Sequence, residues 1–178
     1  MTHVNTLSVS TNTYRIISTF DGSTETCSLS ELSQSLKLNT ILAELNTDGS
    51  LIDSWPLVHE TLVTFAVEFA DYALLNYAQK KIPEAEDCIS LIRKWLENHD
   101  SVSNEELRAA ANAAAYAAAN AAYAAAYAAY AYADAAADAA AHAAYYAAYA
   151  ADDAAGKNRE AELIRQGQFI VEYLRAGT

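Results

Sequence analysis

Two prolines, five glycines and two cysteines are all this chain of 178 residues has of the amino acids that break, bend or staple a fold. Two cysteines far apart, Cys27 and Cys88, exclude a disulfide framework and any paired-cysteine zinc spacing. They are expected as free thiols packed like small hydrophobes in a reducing compartment. Five glycines give poor support for a backbone phosphate cradle. Basic residues are also scarce, 11 against 23 acidic ones, for a net charge of −12. That balance argues against nucleic acid, whose binding draws on Lys and Arg contacts to phosphate, and against an anionic membrane surface. A basic protein partner remains open, as does a small anionic ligand if local cations sit at its pocket.

No uninterrupted apolar run reaches the length of a membrane span. The opening residues, MTHVNTLSVSTNTYRIISTF, lack a basic segment followed by an apolar one, so no secretory signal is expected. A cytoplasmic protein with no membrane association is the expectation. No nucleophile motif, metal-binding HExxH or Ser-His-Asp cue occurs. A non-enzymatic protein without a cofactor or metal is therefore expected.

What the chain has in excess is alanine. Between Ala109 and Asp153 nearly every residue is Ala, with no Gly or Pro, and Ala has the best helix propensity. The fold class expected is mainly all-α, a helical bundle built on a long alanine-rich helix or a broken helix pair. Residues 1–178 are expected as a single domain, with an irregular N-terminal part over 1–56 and the bundle over 57–178. Straight, the run would measure roughly 70 Å at 1.5 Å per residue. The radius of gyration for this length is about 16 Å. The run must break or project, and a break is predicted between about Ala131 and Asp138, where Asp134 and Asp138 can serve as caps.

Around the run, apolar residues at three- and four-residue steps predict a helix over Leu57–Ile82. Pro83 stops it and opens a second, Glu84–Asn98. Ser103 and Glu106 form a capping box at the start of the alanine section. Gly156 precedes a last helix, Lys157–Arg175, which Gly167 is expected to bend. Nearer the N-terminus, Thr13–Phe20 alternates like a short strand, Asp21-Gly22 turns, and Ser23–Cys27 returns as a small β-hairpin. Ser28 and Glu31 cap a short helix to about Leu36. A second short helix is predicted over Thr40–Leu45, ended by Asp48-Gly49, with Trp55-Pro56 leading into the bundle.

The non-alanine positions of the run carry most of the information. Asn112, Tyr116, Asn120, Tyr123, Tyr127, Tyr130, Asp134, Asp138, His142, Tyr145, Tyr149 and Asp152 follow one another at steps of three or four. At 100° per residue they share an arc of about 120°. Tyr132, Tyr146 and Asp153 fall off it. The remaining surface is methyl groups, which let backbones approach to the short end of the usual roughly 8–10 Å separation. That face is expected to meet the large side chains of the flanking helices.

Two readings of the stripe stand open. Tyrosine is a packing residue with a polar handle, and the stripe fills a seam within the fold or between copies in a homo-oligomer. Alternatively it is a binding surface, with rigid ring area from Tyr and hydrogen bonds from Asn, Asp and His. The candidate ligand-binding residues are Asn112, Tyr116, Asn120, Tyr123, Tyr127, Tyr130, Asp138, His142, Tyr145 and Tyr149, with Arg108 as a local cation that can converge with the basic residues of 157–165. Asp134, Asp138 and His142 lie one turn apart. The outer two are about 12 Å apart along the axis, too far to share one ion.

Pro83, the Trp95-Leu96 pair, the Glu105-Glu106-Leu107-Arg108-Ala109-Ala110 start and the AAxAAY and AAH units follow a recognisable order. From about Leu62 to Ala155, with the final helix extending it to about residue 175, the chain resembles the alanine-rich immunity-protein family of bacteria and their phages. It departs from the pattern at Pro83-Glu84-Ala85-Glu86, where such proteins usually carry Arg. The resemblance implies a setting of toxin, phage and defence conflict without a mechanism. Two occupants follow for the stripe: a small nucleotide-derived defence signal, or a basic toxin or nuclease that the chain blocks.

Overall fold

The computed structural model describes residues 13–18, 22–36, 40–46, 48–116, 120–130, 136–154 and 158–177. Strands β1 (Thr13–Ser18) and β2 (Thr24–Cys27) form the expected hairpin, antiparallel with Tyr14 opposite Cys27. The short helix α1 (Leu32–Ser35) follows its capping box, in which the Ser28 N–H donates to the Glu31 carboxylate at 2.9 Å.

The segment expected as a second short helix is instead a strand, β3 (Thr40–Leu45), and Leu51–Pro56 is a fourth, β4. Six residues are too few for periodicity to separate the two states, and pairing on both sides decides for the strand. Asp48-Gly49 is the turn of a hairpin and not a helix stop. Gly49 takes φ 82°, and the Asn46 N–H donates to the Ser50 carbonyl at 2.7 Å. The sheet order is β2-β1-β3-β4, all antiparallel, which puts Pro56 on an edge strand where its missing donor is tolerated.

The bundle follows in order: α2 (His59–Tyr77), α3 (Pro83–Glu97), α4 (Asn104–Tyr116), α5 (Asn120–Tyr130), α6 (Ala136–Asp153) and α7 (Arg159–Ala176). Pro83 opens α3, where its absent N–H has no helical partner to lose. A 3-10 turn at His99–Ser101 leads to the Ser103–Glu106 capping box, whose Ser103 N–H donates to Glu106 at 2.8 Å. The alanine section is thus three described helices. The boundary predicted between Ala131 and Asp138 coincides with the step from α5 to α6, though 131–135 lie outside the described residues. The step from α4 to α5 at Asn120 is not among the predicted breaks, although Asn is a favoured capping residue.

α5 packs on α2, α3, α4 and α6. Every alanine within it is buried, and only its tyrosines and Asn120 are part-exposed. A helix apolar on nearly all sides belongs in the middle of a bundle, and its one polar line marks the side left open. The expected match of methyls to bulk holds. α2 contributes the buried Phe65 and Phe69 and packs on α5 and α6. Phe169 of α7 meets both rings edge-on at 6.1 Å. Tyr14, Ile16 and Trp55 of the sheet join the same core.

Both thiols are buried and free. The Cys88 thiol donates to the Ala125 carbonyl at 3.4 Å, where α3 meets α5. Gly167 does not interrupt α7. It is the point of closest approach to the α1 turn: a Cβ there would stand 2.1 Å from the Leu29 carbonyl oxygen. No described helix is long and apolar enough to cross a membrane.

Candidate functional site

α5 and α6 run antiparallel: Asn120 meets Asp153 at one end while Tyr127 meets His142 towards the other. Their alanine faces turn inward, so the tyrosines from both helices meet along the outer seam, half-buried. Tyr127 lies at the centre. Its ring is near-parallel to that of His142, 4.9 Å between centroids and 16° between planes, and to that of Tyr146, 5.3 Å and 12°. Tyr123 leans on Tyr146 at 5.3 Å, and Tyr130 meets Tyr127 edge-on. Tyr145 and Tyr149 continue the surface at 4.5 Å, and the Arg159 guanidinium lies 4.5 Å from the Tyr149 centroid. Such contacts fix rings that would otherwise sample several rotamers, which lowers the entropy lost on binding.

A cavity of about 470 Å³ opens beside this ladder, lined by Gln34, Tyr127, Asp138, His142, Tyr145 and Tyr146. The His142 Nδ1 lies 2.9 Å from the Asp138 carbonyl oxygen. A carbonyl only accepts, so Nδ1 carries the proton, and Nε2 is an acceptor whenever the ring is neutral. Partial burial, then the neighbouring Tyr146, holds the Tyr127 phenol above its ordinary pKa, so it stays a neutral donor. A hydrogen bond with Tyr149 raises Tyr145 in the same direction. Ring faces, phenols, a carboxylate and an imidazole make a surface suited to holding a planar polar molecule. Among the described residues no group of three or more His, Cys, Asp or Glu is placed to hold a metal ion.

The remaining candidates are dispersed. Asn112 accepts from the Tyr130 phenol at 2.9 Å, which ties α4 to the end of the ladder. Asn120 donates to Asp153 at 2.6 Å and borders a second cavity of about 490 Å³ with Tyr77, Lys80 and Ile82. Tyr116 is 88% exposed at the end of α4, away from the other rings. Arg108 is exposed on α4. Arg159 lies on the ladder, and Arg165 pairs with Glu162 at 2.6 Å.

Two lining groups, Tyr146 and Gln34, and the neighbouring Arg159 escape a stripe-based reading. Tyr146 falls off the arc, although its i,i+4 relation to His142 is a usable signal. Arg159 and Gln34 come from other helices and leave no trace in the periodicity of the run.

A family model described as Imm-5 like putative immunity protein matches residues 55–170. The chain belongs to this family. The matched segment of the immunity-family chain runs from Trp55 on β4 to Ile170 on α7, and so takes in the whole aromatic ladder. β1, β2, α1 and β3 precede it. No curated protein and no solved structure matches the chain.

Proposed function

We propose that this immunity-family protein neutralises its target by binding alone, and that its α5–α6 groove sequesters a small nucleotide-derived defence signal. The observation that carries this reading is the His142–Tyr127–Tyr146 ladder beside a cavity of about 470 Å³. Small-molecule sites fall in a range of about 300–1,000 Å³, mostly apolar with a few directed polar groups. A base stacks on the exposed ring faces. Asp138 and the His142 Nε2 accept from its amino and imino groups. Arg159, beyond Tyr145, supplies the one kind of charge that an acidic protein must place deliberately if it is to hold phosphate.

Calorimetry and thermal shift against a panel of cyclic mono- and dinucleotides test it. Binding by the wild type and its loss in Tyr127→Ala, with little change in melting, are expected. No heat and no shift across the panel would sink this reading.

The net charge of −12 favours a second one, a basic toxin or nuclease docked on the same half-exposed aromatic face with Asp138, Asp152 and Asp153 at its rim. Here binding weakens steeply with salt and on reversal of those carboxylates, and an effector bound equally well by the charge-reversed chain would exclude it.

A further inference from the structure

We propose that Gln34, from outside the matched segment, is the residue that selects the groove's ligand by donating to an acceptor on the ligand's ring edge. The inference rests on the small-molecule reading above and deepens it.

Gln34 stands on α1, which packs on α6 and α7. It is the one N-terminal residue among those lining the aromatic cavity. Its Nε2 is buried and has no hydrogen-bond partner among the described residues. A buried amide donor without a partner is costly, and such groups are uncommon in folded proteins. The Gln34 side chain as a whole is part-exposed at the cavity wall, so a turn of its amide brings Nε2 to a ligand acceptor when the cavity is filled. The same lining includes Asp138, which only accepts when ionised, and His142, whose Nε2 accepts when the ring is neutral. Beside the phenols of Tyr127, Tyr145 and Tyr146, which can donate or accept, the groove therefore presents one amide donor and two acceptors around stacked ring faces. Its chemical complement is a planar heteroaromatic with a hydrogen-bond acceptor and an amino or imino donor on one edge, as in guanine or adenine. A bare aromatic ring lacks both.

The fold holds Gln34 in place. Gly167 lets the Leu29 carbonyl approach α7 more closely than any side chain would allow, and α1 begins three residues later. The segment preceding the family match thus closes one side of a groove whose rings all come from within it. This arrangement lets the ladder set general affinity for flat rings while α1 sets which ring is kept. A site built to hydrogen-bond its ligand rejects an analogue lacking the group far more strongly than an apolar wall does.

The test uses the full chain as wild type, Tyr127→Ala, Gln34→Leu and Gln34→Glu. Each is titrated with GMP, AMP and cyclic di-GMP, and with naphthalene as a flat probe without hydrogen-bonding groups. Wild type is expected to bind the nucleotides. Gln34→Leu should weaken them about tenfold or more, the range expected when one buried polar partner is lost, while naphthalene binding changes little. Gln34→Glu, which replaces the donor by an acceptor, should weaken them at least as much. Melting provides the second readout. Removing an unpaired buried donor should leave Gln34→Leu as stable as wild type or slightly more so, whereas a Gln34 that only props the fold would give a lower Tm. Nucleotide binding that is lost in Tyr127→Ala but intact in Gln34→Leu overturns this inference and leaves the aromatic groove standing. If wild type binds no nucleotide, both readings fall together.

Discussion

The phenol of Tyr77 and the carboxylate of Glu162 meet at 2.6 Å across 85 residues of sequence, joining the end of α2 to the first turn of α7. Glu162 is 1% exposed and is satisfied on every side. Arg165 donates to it through Nε and Nη2 at 2.8 and 2.6 Å. The Gln166 amide bridges it to the Ala144 carbonyl of α6. The Arg165 guanidinium lies 3.6 Å from the Tyr72 ring centroid. A charge buried among donors from two helices, one of which also bonds the third, fixes how those helices register, and each missing partner then costs more than an exposed bond would. Tyr77→Phe keeps the ring and removes one donor. It is expected to cost about 1–2 kcal/mol in urea unfolding. Glu162→Leu should cost more, because it strands Arg165 and Gln166 together. Equal stability of Tyr77→Phe and wild type would show that this bond contributes nothing.

Alkaline pH should destabilise the fold before acid does so through these groups. Burial pushes the Cys27 thiol up to about 11 and the Cys88 thiol up to about 12. Burial and the Glu162 carboxylate also raise the Tyr77 phenol. In each case the native state holds a proton that the unfolded chain releases near its ordinary pKa, about 8.5 for Cys and 10 for Tyr. Stability from these groups is therefore complete below about pH 8.5 and is lost progressively as pH rises towards 11 and 12. Urea midpoints measured from pH 7 to 11 should fall, and the fall should be shallower in a Cys27→Ala/Cys88→Ala double variant. Identical slopes would remove the thiols from the account.

Gly167→Ala sets two effects against each other. Alanine in a helix interior is favoured over glycine by about 1 kcal/mol. Against this, the new Cβ would stand 2.1 Å from the Leu29 carbonyl oxygen, a backbone atom that can move only if the α1 turn moves with it. Overpacking of this kind costs roughly 1–3 kcal/mol, and the clash is expected to win. A lower Tm is the expected outcome. A higher one would mean that α1 is loosely held.

The sequence speaks most clearly where local chemistry decides. Pro83 starts α3, Ser103 and Glu106 cap α4, and the alternation of Thr13–Ser18 makes a strand. Alanine propensity makes helices over most of the run, and the phase of its tyrosines gives one open side. It is least clear where distant partners decide. Thr40–Leu45 is a strand because β1 and β4 flank it, and nothing within six residues announces that. The phase of a stripe is a property of one helix, whereas the groove is made by two helices laid antiparallel. Tyr146, off the arc, therefore enters the ladder. Tyr116, on the arc, stands away from it. Gln34 and Arg159 reach the site only through tertiary packing.

Alanine in this bundle is a steric requirement as well as a helix former, and two substitutions separate these roles. Ala143 is fully buried on α6, which packs on both α2 and α5. Ala109 is exposed on α4. Leucine has nearly the same helix propensity as alanine, so Ala→Leu changes little except volume. At Ala109 the added volume meets water, and the effect should stay within about 0.5 kcal/mol. At Ala143 three added carbons must fit where the side chain has no exposed surface. That forces strained rotamers or a wider helix spacing, for a loss of roughly 1–3 kcal/mol. Urea unfolding of the two variants beside wild type measures the difference. If Ala143→Leu is as well tolerated as Ala109→Leu, the methyl surfaces are not tightly packed and alanine serves only to make helices. A large gap means that the small side chains hold α5 and α6 close enough for Tyr127 to reach His142.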